Sequence, residues 1–223
     1  FFFIMYSIII PIYNEITTLK ILIKELEIFS KKNEIIFIDD GSTDGSFEIL
    51  QSISFINLYK LKKNFGKGVA IRLGLSKAKF EKIVIFDSDL ELRTDCIHQL
   101  MKLDKKNKIN SVMGTRFKSF SPLRSGVDWG NFMFTTLFNI CYSTSHKDVL
   151  CCAKSFYRKD IQLDKLRSKF FDIDIELSIH LTQNFRWKRI PQVFINYNRR
   201  TIEEGKKLKT SDGWRILKRF FLT

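Results

Sequence analysis

Three apolar runs each end in an acidic loop, and this arrangement restricts the chain to an α/β sheet. Tyr6 to Ile12 leads into Tyr13-Asn14-Glu15, Glu34 to Ile38 into Asp39-Asp40-Gly41-Ser42-Thr43-Asp44, and Lys82 to Phe86 into Asp87-Ser88-Asp89-Leu90-Glu91. The runs are rich in Ile, Val and Phe and do not alternate with polar residues, which is how strands buried on both faces of a parallel sheet read. Helical stripes separate them. Leu19, Leu22, Ile23, Leu26 and Phe29 form one; Phe47, Leu50 and Ile53 form a second, with Thr43 or Asp44 as its N-cap; Val69, Leu73 and Ala78 mark a third. Phe55 to Leu61 and Asn110 to Gly114 read as two more strands, and Thr94 as the cap of a helix carrying Ile97, Leu100 and Met101. Such alternation predicts a doubly wound, mostly parallel sheet flanked by helices. The second half is less regular, with helices expected near Asn131 to Tyr142, Ile173 to Gln183 and Gly213 to Phe221, and strands at Leu150 to Tyr157 and Arg189 to Tyr197. No repeat or linker divides the chain, so one domain is expected over residues 1–223.

Ligands of open α/β sheets bind outside the carboxyl ends of the strands, so the acidic loops are expected to share one crevice. Carboxylates crowded there repel one another unless a cation sits among them. Asp87-Ser88-Asp89 followed by Glu91 therefore suggests a divalent metal holding a phosphorylated substrate, because magnesium is held by one or two carboxylates plus substrate phosphates. Gly41 to Asp44 reads as a turn and helix cap, whereas the adjacent acids Asp39 and Asp40 can accept a base N–H from a nucleotide. The loop also matches the opening of a calcium-binding EF-hand, but Gln51 stands where that motif needs Glu and a strand precedes it. Asn64-Phe65-Gly66-Lys67-Gly68 lacks the Walker A order, although a glycine-rich helix start can still receive phosphate. No Ser-His-Asp order is present.

Lys and Arg number 38 against 24 Asp and Glu, a net charge of +14 that calls for an anionic partner. The excess is dense from Lys188 to Arg219, including Arg199-Arg200 and Glu204-Gly205-Lys206-Lys207. Clustered carboxylates argue against nucleic acid as that partner. Trp214, Ile216, Leu217, Phe220 and Phe221 can gather on one helical face beside Lys218 and Arg219, a basic amphipathic helix suited to a membrane surface. The apolar stretch Phe132 to Tyr142 is too short to span a bilayer. Cys96, Cys141, Cys151 and Cys152 show no metal-binding spacing and are expected to be reduced, in a cytoplasmic protein. Phe1 to Ile4, ahead of Met5, have no basic segment before them and are not expected to be a secretory signal.

Pro11-Ile12-Tyr13-Asn14-Glu15, Asp39 to Asp44, Asn64-Phe65-Gly66 with Ala70 and Arg72, and Asp87-Ser88-Asp89 resemble the family 2 glycosyltransferases in order and spacing. Gly114-Thr115-Arg116, Asp148 with Lys154, Phe171 to Asp174, Glu176, and Arg200 with Glu204 to Lys207 resemble its dolichyl-phosphate mannose synthase and polyprenyl-phosphate sugar synthase branch. The resemblance implies a GT-A fold, a nucleotide-sugar donor and Mg2+ or Mn2+. It places residues 1–115 in a nucleotide-sugar-binding half and 116–223 in an acceptor-binding half. It implies that Pro11, Tyr13, Glu15, Asp39, Asp40 and Arg72 bind the donor, and that Asp87, Asp89 and Glu91 face metal and diphosphate. Arg116, Arg200, Lys206 and Lys207 would hold a polyprenyl phosphate, at the cytoplasmic face of the membrane. Such an acceptor is already ionised; a saccharide hydroxyl, the alternative, needs a base, for which Asp174 and Glu176 are the candidates. Cys151-Cys152-Ala153-Lys154 and Asp172-Ile173-Asp174 depart from the family's usual pattern, which bears on the acceptor more than on the donor.

Overall fold

The computed structural model describes residues 5–117, 126–185, 190–201, 203–207 and 210–223. Seven strands form one sheet in the order β3-β2-β1-β4-β6-β5-β7. They are β1 (Tyr6–Ile12), β2 (Glu34–Asp39), β3 (Ile56–Lys60), β4 (Lys82–Ile85), β5 (Ser111–Thr115), β6 (Lys154–Tyr157) and β7 (Gln192–Phe194). The helices are α1 (Ile16–Ser30), α2 (Ser46–Gln51), α3 (Lys67–Lys77), α4 (Cys96–Leu100), α5 (Gly126–Tyr142), α6 (Ile173–Asn184) and α7 (Thr210–Leu222). β1 pairs in parallel with both β2 and β4, and β2 with β3. β6 runs antiparallel between β4 and β5, and β7 closes the edge parallel to β5.

The unbroken apolar runs follow from burial on both faces. Ile8, Ile10 and Ile12 of β1 meet Leu19, Leu22, Leu26 and Phe29 of α1. Ile9, between them in sequence, points the other way, into a layer with Ile71 and Leu75 of α3 and Ile173 and Leu177 of α6. A third cluster joins α5, α6 and α7 through Phe138, Ile175, Ile179, Ile216 and Phe220. The sheet thus has helices on both faces, with a C-terminal helix docked at one end.

Several local expectations are corrected. Gly45, not Thr43 or Asp44, holds the N-cap position of α2; the Asp44 carboxylate instead accepts the amides of Ser46 and Ile16, joining two loops. Thr94 does not cap α4, because its hydroxyl donates to Glu25 of α1 at 2.7 Å. The expected strand at Leu150 shortens to Lys154–Tyr157, and the one at Arg189 to Gln192–Phe194, Arg189 itself lying outside the described residues. On α7 the apolar residues do not share one face: Ile216 and Phe220 pack inward, while Trp214 and Phe221 are 75% and 70% exposed.

Between α5 and α6, His146 is buried beside the Phe138 ring and within 3.3 Å of the Thr182 hydroxyl, its Nδ1 without a partner among the described residues. Burial, aided by Lys154, pushes its pKa from 6.5 down to about 4. Below pH 6.5 the unfolded chain then binds a proton that the fold excludes, so stability falls as pH drops from 6.5 toward 4. The loss approaches about 3 kcal/mol at the low end. Urea midpoints measured across this range should fall less steeply in His146→Gln; identical slopes would place the pH sensitivity elsewhere.

Candidate active site

The loops after β1, β2 and β4 converge because parallel pairing sets these strand ends side by side. Short hydrogen bonds lace them together. The amides of Asn14 and Glu15 donate to the hydroxyls of Ser42 and Ser46 at 2.9 and 3.1 Å, and Ser88 donates to the Pro11 carbonyl at 3.0 Å. Asp39, fully buried, accepts the Ser42 amide. Asp40 accepts the amides of Phe65 and Gly66, both at 2.8 Å, and so pins the loop after β3. Burial raises its pKa against the pull of those two amides. Gly41 is required where this loop crosses: its φ is +74°, and a Cβ would lie 2.6 Å from the Lys63 backbone.

Asp89 occupies the centre of the acidic cluster. Burial, with the carboxylates of Asp87, Glu91 and Glu15 around it, pushes its pKa up to about 7. Cations from distant parts of the chain offset this charge. Lys67, at the first turn of α3, lies 2.9 Å from both Asp87 and Asp174, with its side chain only 9% exposed. Burial alone would lower the Lys67 pKa, but the two carboxylates hold it well above its usual value. Arg200 pairs with Glu15 at 2.8 Å, Lys206 with Glu91 at 3.0 Å, and Lys207 also reaches Glu15.

The other expected residues are divided between this crevice and its supports. Tyr13 lies under Lys207, its ring centroid 5.9 Å from Nζ. Arg116 forms a two-pronged pair with buried Asp148, at 2.7 and 2.9 Å, which Asn131 also holds. The Arg116 guanidinium also stands 5.3 Å over the Tyr197 ring. Asp174 gives one oxygen to Lys67, and its other has no hydrogen-bond partner among the described residues. Burial raises its pKa, with Lys67 and Lys154 opposing. Glu176 accepts the amides of Arg167 and Ser168, both at 2.9 Å, and Arg72 donates to the Ser168 carbonyl, so these two hold the loop before α6.

Sequence reasoning passed over Lys67. Its signal was positional: a cation in the first turn of a helix opposes the helix dipole and needs a carboxylate to hold it. No group of three or more His, Cys, Asp or Glu forms a ready metal cage among the described residues. The donor set nonetheless fits a divalent cation that brings its own phosphates, because Asp89 is a desolvated carboxylate among like charges.

Removing the Lys67 amine should leave Asp87 and Asp174 buried without their shared cation. Lys67→Met is expected to cost about 3 kcal/mol of stability, read as a lower urea midpoint. An unchanged midpoint would show that this bridge does not hold α3, β4 and α6 together.

Residues 7–163 match the family model described as glycosyl transferase family 2. Among curated proteins, the uncharacterized glycosyltransferase YkcC of Bacillus subtilis is 35% identical over 107 residues, 44% of this chain and 33% of that protein. An undecaprenyl-phosphate 4-deoxy-4-formamido-L-arabinose transferase of Pseudomonas savastanoi is 35% identical over 118 residues, 49% of this chain and 34% of that protein. These matches span about a third of the curated relatives' length. Glucosyl-3-phosphoglycerate synthase of Mycobacterium tuberculosis, solved with UDP, superimposes with a TM-score of 0.75 at 16% identity, covering 97% of this chain and 79% of that one. Mannosyl-3-phosphoglycerate synthase of Rubrobacter xylanophilus gives 0.72 at 16% identity, covering 97% and 71%. At these identities the structural likeness is one of fold, and it is the GT-A fold.

Proposed function

The chain belongs to glycosyl transferase family 2, and we propose that it transfers a sugar from a nucleoside diphosphate to a polyprenyl phosphate. The observation that carries this reading is the pairing of an acidic crevice with three basic side chains from one late segment, Arg200, Lys206 and Lys207. Such an arrangement suits two phosphorylated substrates. The candidate bases are engaged elsewhere: Asp174 by Lys67, Glu176 by two backbone amides. An acceptor that arrives ionised needs neither. The names of curated relatives, which specify undecaprenyl-phosphate transferases, support the same reading.

In this mechanism an acceptor phosphate oxygen attacks the anomeric carbon from the face opposite the diphosphate. The bond to the diphosphate breaks with its electron pair, inverting the centre. Asp87 and Asp89, with Glu91 beside them, would hold Mg2+ or Mn2+, which when bound neutralises charge on the departing diphosphate. Neighbouring structures of this fold were crystallised with Mn2+ and either UDP or UDP-glucose, which supports a divalent metal. Lys67 keeps Asp87 in place. Tyr13, Glu15, Asp39 and Asp40 shape the nucleoside side, with Asp39 and Asp40 fixing the backbone of its loops. Arg200, Lys206 and Lys207 supply positive potential for the acceptor phosphate, with Arg116 at the β5 end. A saccharide hydroxyl as acceptor is the second reading. It is favoured by the second oxygen of Asp174, which has no hydrogen-bond partner among the described residues.

No described helix is long and apolar enough to cross a membrane. Peripheral contact at the cytoplasmic face would use the outer sides of α5 and α7. Trp129, Met133 and Ile140 are exposed on α5, and Trp214, Phe221 and Leu222 on α7, beside exposed Arg215 and Lys218.

Thermal shifts with UDP-, GDP- and dTDP-sugars plus Mg2+ or Mn2+ should identify the donor. With that donor, Asp89→Ala should fold normally and lose at least about 100-fold in transfer, the scale on which removing charge stabilisation acts. Near-normal transfer by folded Asp89→Ala would remove the Asp-x-Asp from the mechanism. Transfer should occur to a short-chain polyprenyl phosphate, and the protein should float with anionic liposomes but not neutral ones. Activity toward a soluble saccharide alone would install the second reading.

A further inference from the structure

The chain stays paired to its neighbours for a few residues beyond β7. The Ile195 amide donates to the Thr115 carbonyl at 2.9 Å, Tyr197 forms an antiparallel bridge with Leu92, and the Asn198 amide donates to the Glu91 carbonyl at 2.8 Å. Backbone contacts thus fix Tyr197 between the end of β5 and the loop that follows β4. Its half-buried ring collects cations. The Arg116 guanidinium stands 5.3 Å from the ring centroid, and that of Arg199, which Asp128 also holds, 5.8 Å, both within reach of a cation–π contact. Lys206 donates to the Tyr197 hydroxyl at 3.4 Å. Arg116 itself is held asymmetrically. Its Nε and Nη2 donate to buried Asp148 at 2.7 and 2.9 Å, and its backbone amide joins them at 3.2 Å. Those side-chain bonds fill one edge of the guanidinium fork. Nη1, on the other edge, makes no hydrogen bond among the described residues, and the side chain remains 20% exposed.

We propose that Tyr197 is a positioning residue for an anionic acceptor, its ring holding the Arg116 fork so that the open edge is presented to a terminal phosphate. The inference rests on the polyprenyl phosphate acceptor proposed above. A fork pinned on one edge and open on the other suits an oxyanion, which takes two parallel N–H bonds. Two bonds to a single carboxylate still let the fork hinge about the line joining them, and the Tyr197 ring stands against that motion from one side. The ring also covers a face of the guanidinium that water would otherwise reach, so less order is lost when a phosphate arrives. Its hydroxyl keeps the Lys206 ammonium nearby and adds positive potential at the same place. A saccharide hydroxyl, with one uncharged oxygen, gains little from such a fork, so Tyr197 favours an acceptor that is already ionised.

Calorimetric titration with farnesyl phosphate, a short-chain polyprenyl phosphate, tests this without any transfer reaction. Tyr197→Leu should weaken binding roughly tenfold, the scale of a partly desolvated cation–π contact. Tyr197→Phe keeps the ring and should stay within about threefold of the parent chain. In an Arg116→Lys background, which lacks the fork, Tyr197→Leu should cost less than about twofold more. Affinity for MnCl2 plus UDP, or plus GDP, should be the same in the parent and in both Tyr197 variants. Cooperative urea unfolding checks the fold, and Tyr197→Met takes the place of Tyr197→Leu if the latter does not fold. Three results would each overturn the role of Tyr197: parental affinity in Tyr197→Leu, the full tenfold loss persisting beside Arg116→Lys, or an equal fall in affinity for the metal–nucleotide. A parent chain that ignores farnesyl phosphate would remove the polyprenyl-phosphate reading and this inference together, whereas parental binding that Tyr197→Leu leaves intact removes the inference alone.

Discussion

Everything in this molecule is arranged around a buried concentration of negative charge. Asp87, Asp89, Glu91 and Glu15 stand at adjacent strand ends, and Asp89 among them is pushed up to about 7. Carboxylates in such a place either take up protons or find cations. This chain brings cations from far along the sequence: Lys67 from the start of α3, and Arg200, Lys206 and Lys207 from a segment more than a hundred residues beyond the acids. The crevice therefore ties both halves of the chain together. Folding requires that these carboxylates be compensated to stay buried, and the proposed chemistry would require that they be accessible.

The positions of those acids follow from the sheet. β1 lies between β2 and β4, so the loops that leave their carboxyl ends are neighbours without any long-range accident. Ser42, Asp44, Ser46 and Ser88 then fasten one loop to the next through bonds of about the same length. Asp40 extends the lacing to β3 through the amides of Phe65 and Gly66. The acids that look alike in sequence thus divide into two kinds. Asp39, Asp40 and Asp44 spend their oxygens on backbone amides, whereas Glu15, Asp87 and Glu91 each pair with lysine or arginine, Glu91 accepting the Arg200 amide as well.

The parallel half of the sheet was legible because its signals are local. Residues buried on both faces give unbroken apolar runs, and the acids follow each run directly. The antiparallel insertion of β6 between β4 and β5 was not legible, because strand order is set by packing and not by any residue of Lys154–Tyr157. Nor was the bridge from Asp87 through Lys67 to Asp174, whose members are separated by up to 107 residues. Arg116 shows the same limit: its place after β5 was readable, but its engagement by Asp148 and Asn131 was not. For α7, periodicity identified a helix and gathered its apolar residues on one face suited to a membrane surface. Only the packing against α5 and α6 decides that Ile216 and Phe220 turn inward and Trp214 and Phe221 outward.

That division on α7 has a physical consequence. A helix whose apolar residues all faced the domain would offer water a purely basic surface, and one whose apolar residues all faced outward would have nothing to hold it. Here Ile216 and Phe220 anchor the helix to α6, and the Arg219 guanidinium fixes it through Asp172 at 3.2 Å. The anchoring leaves Trp214, Phe221 and Leu222 to face outward with Arg215 and Lys218 beside them. Because α6 also carries Asp174 in its first turn, the same helix that positions this outer face borders the acidic crevice through Lys67. With the polyprenyl phosphate proposed above as acceptor, α6 would stand between the outer face that meets its chain and the crevice that meets its phosphate.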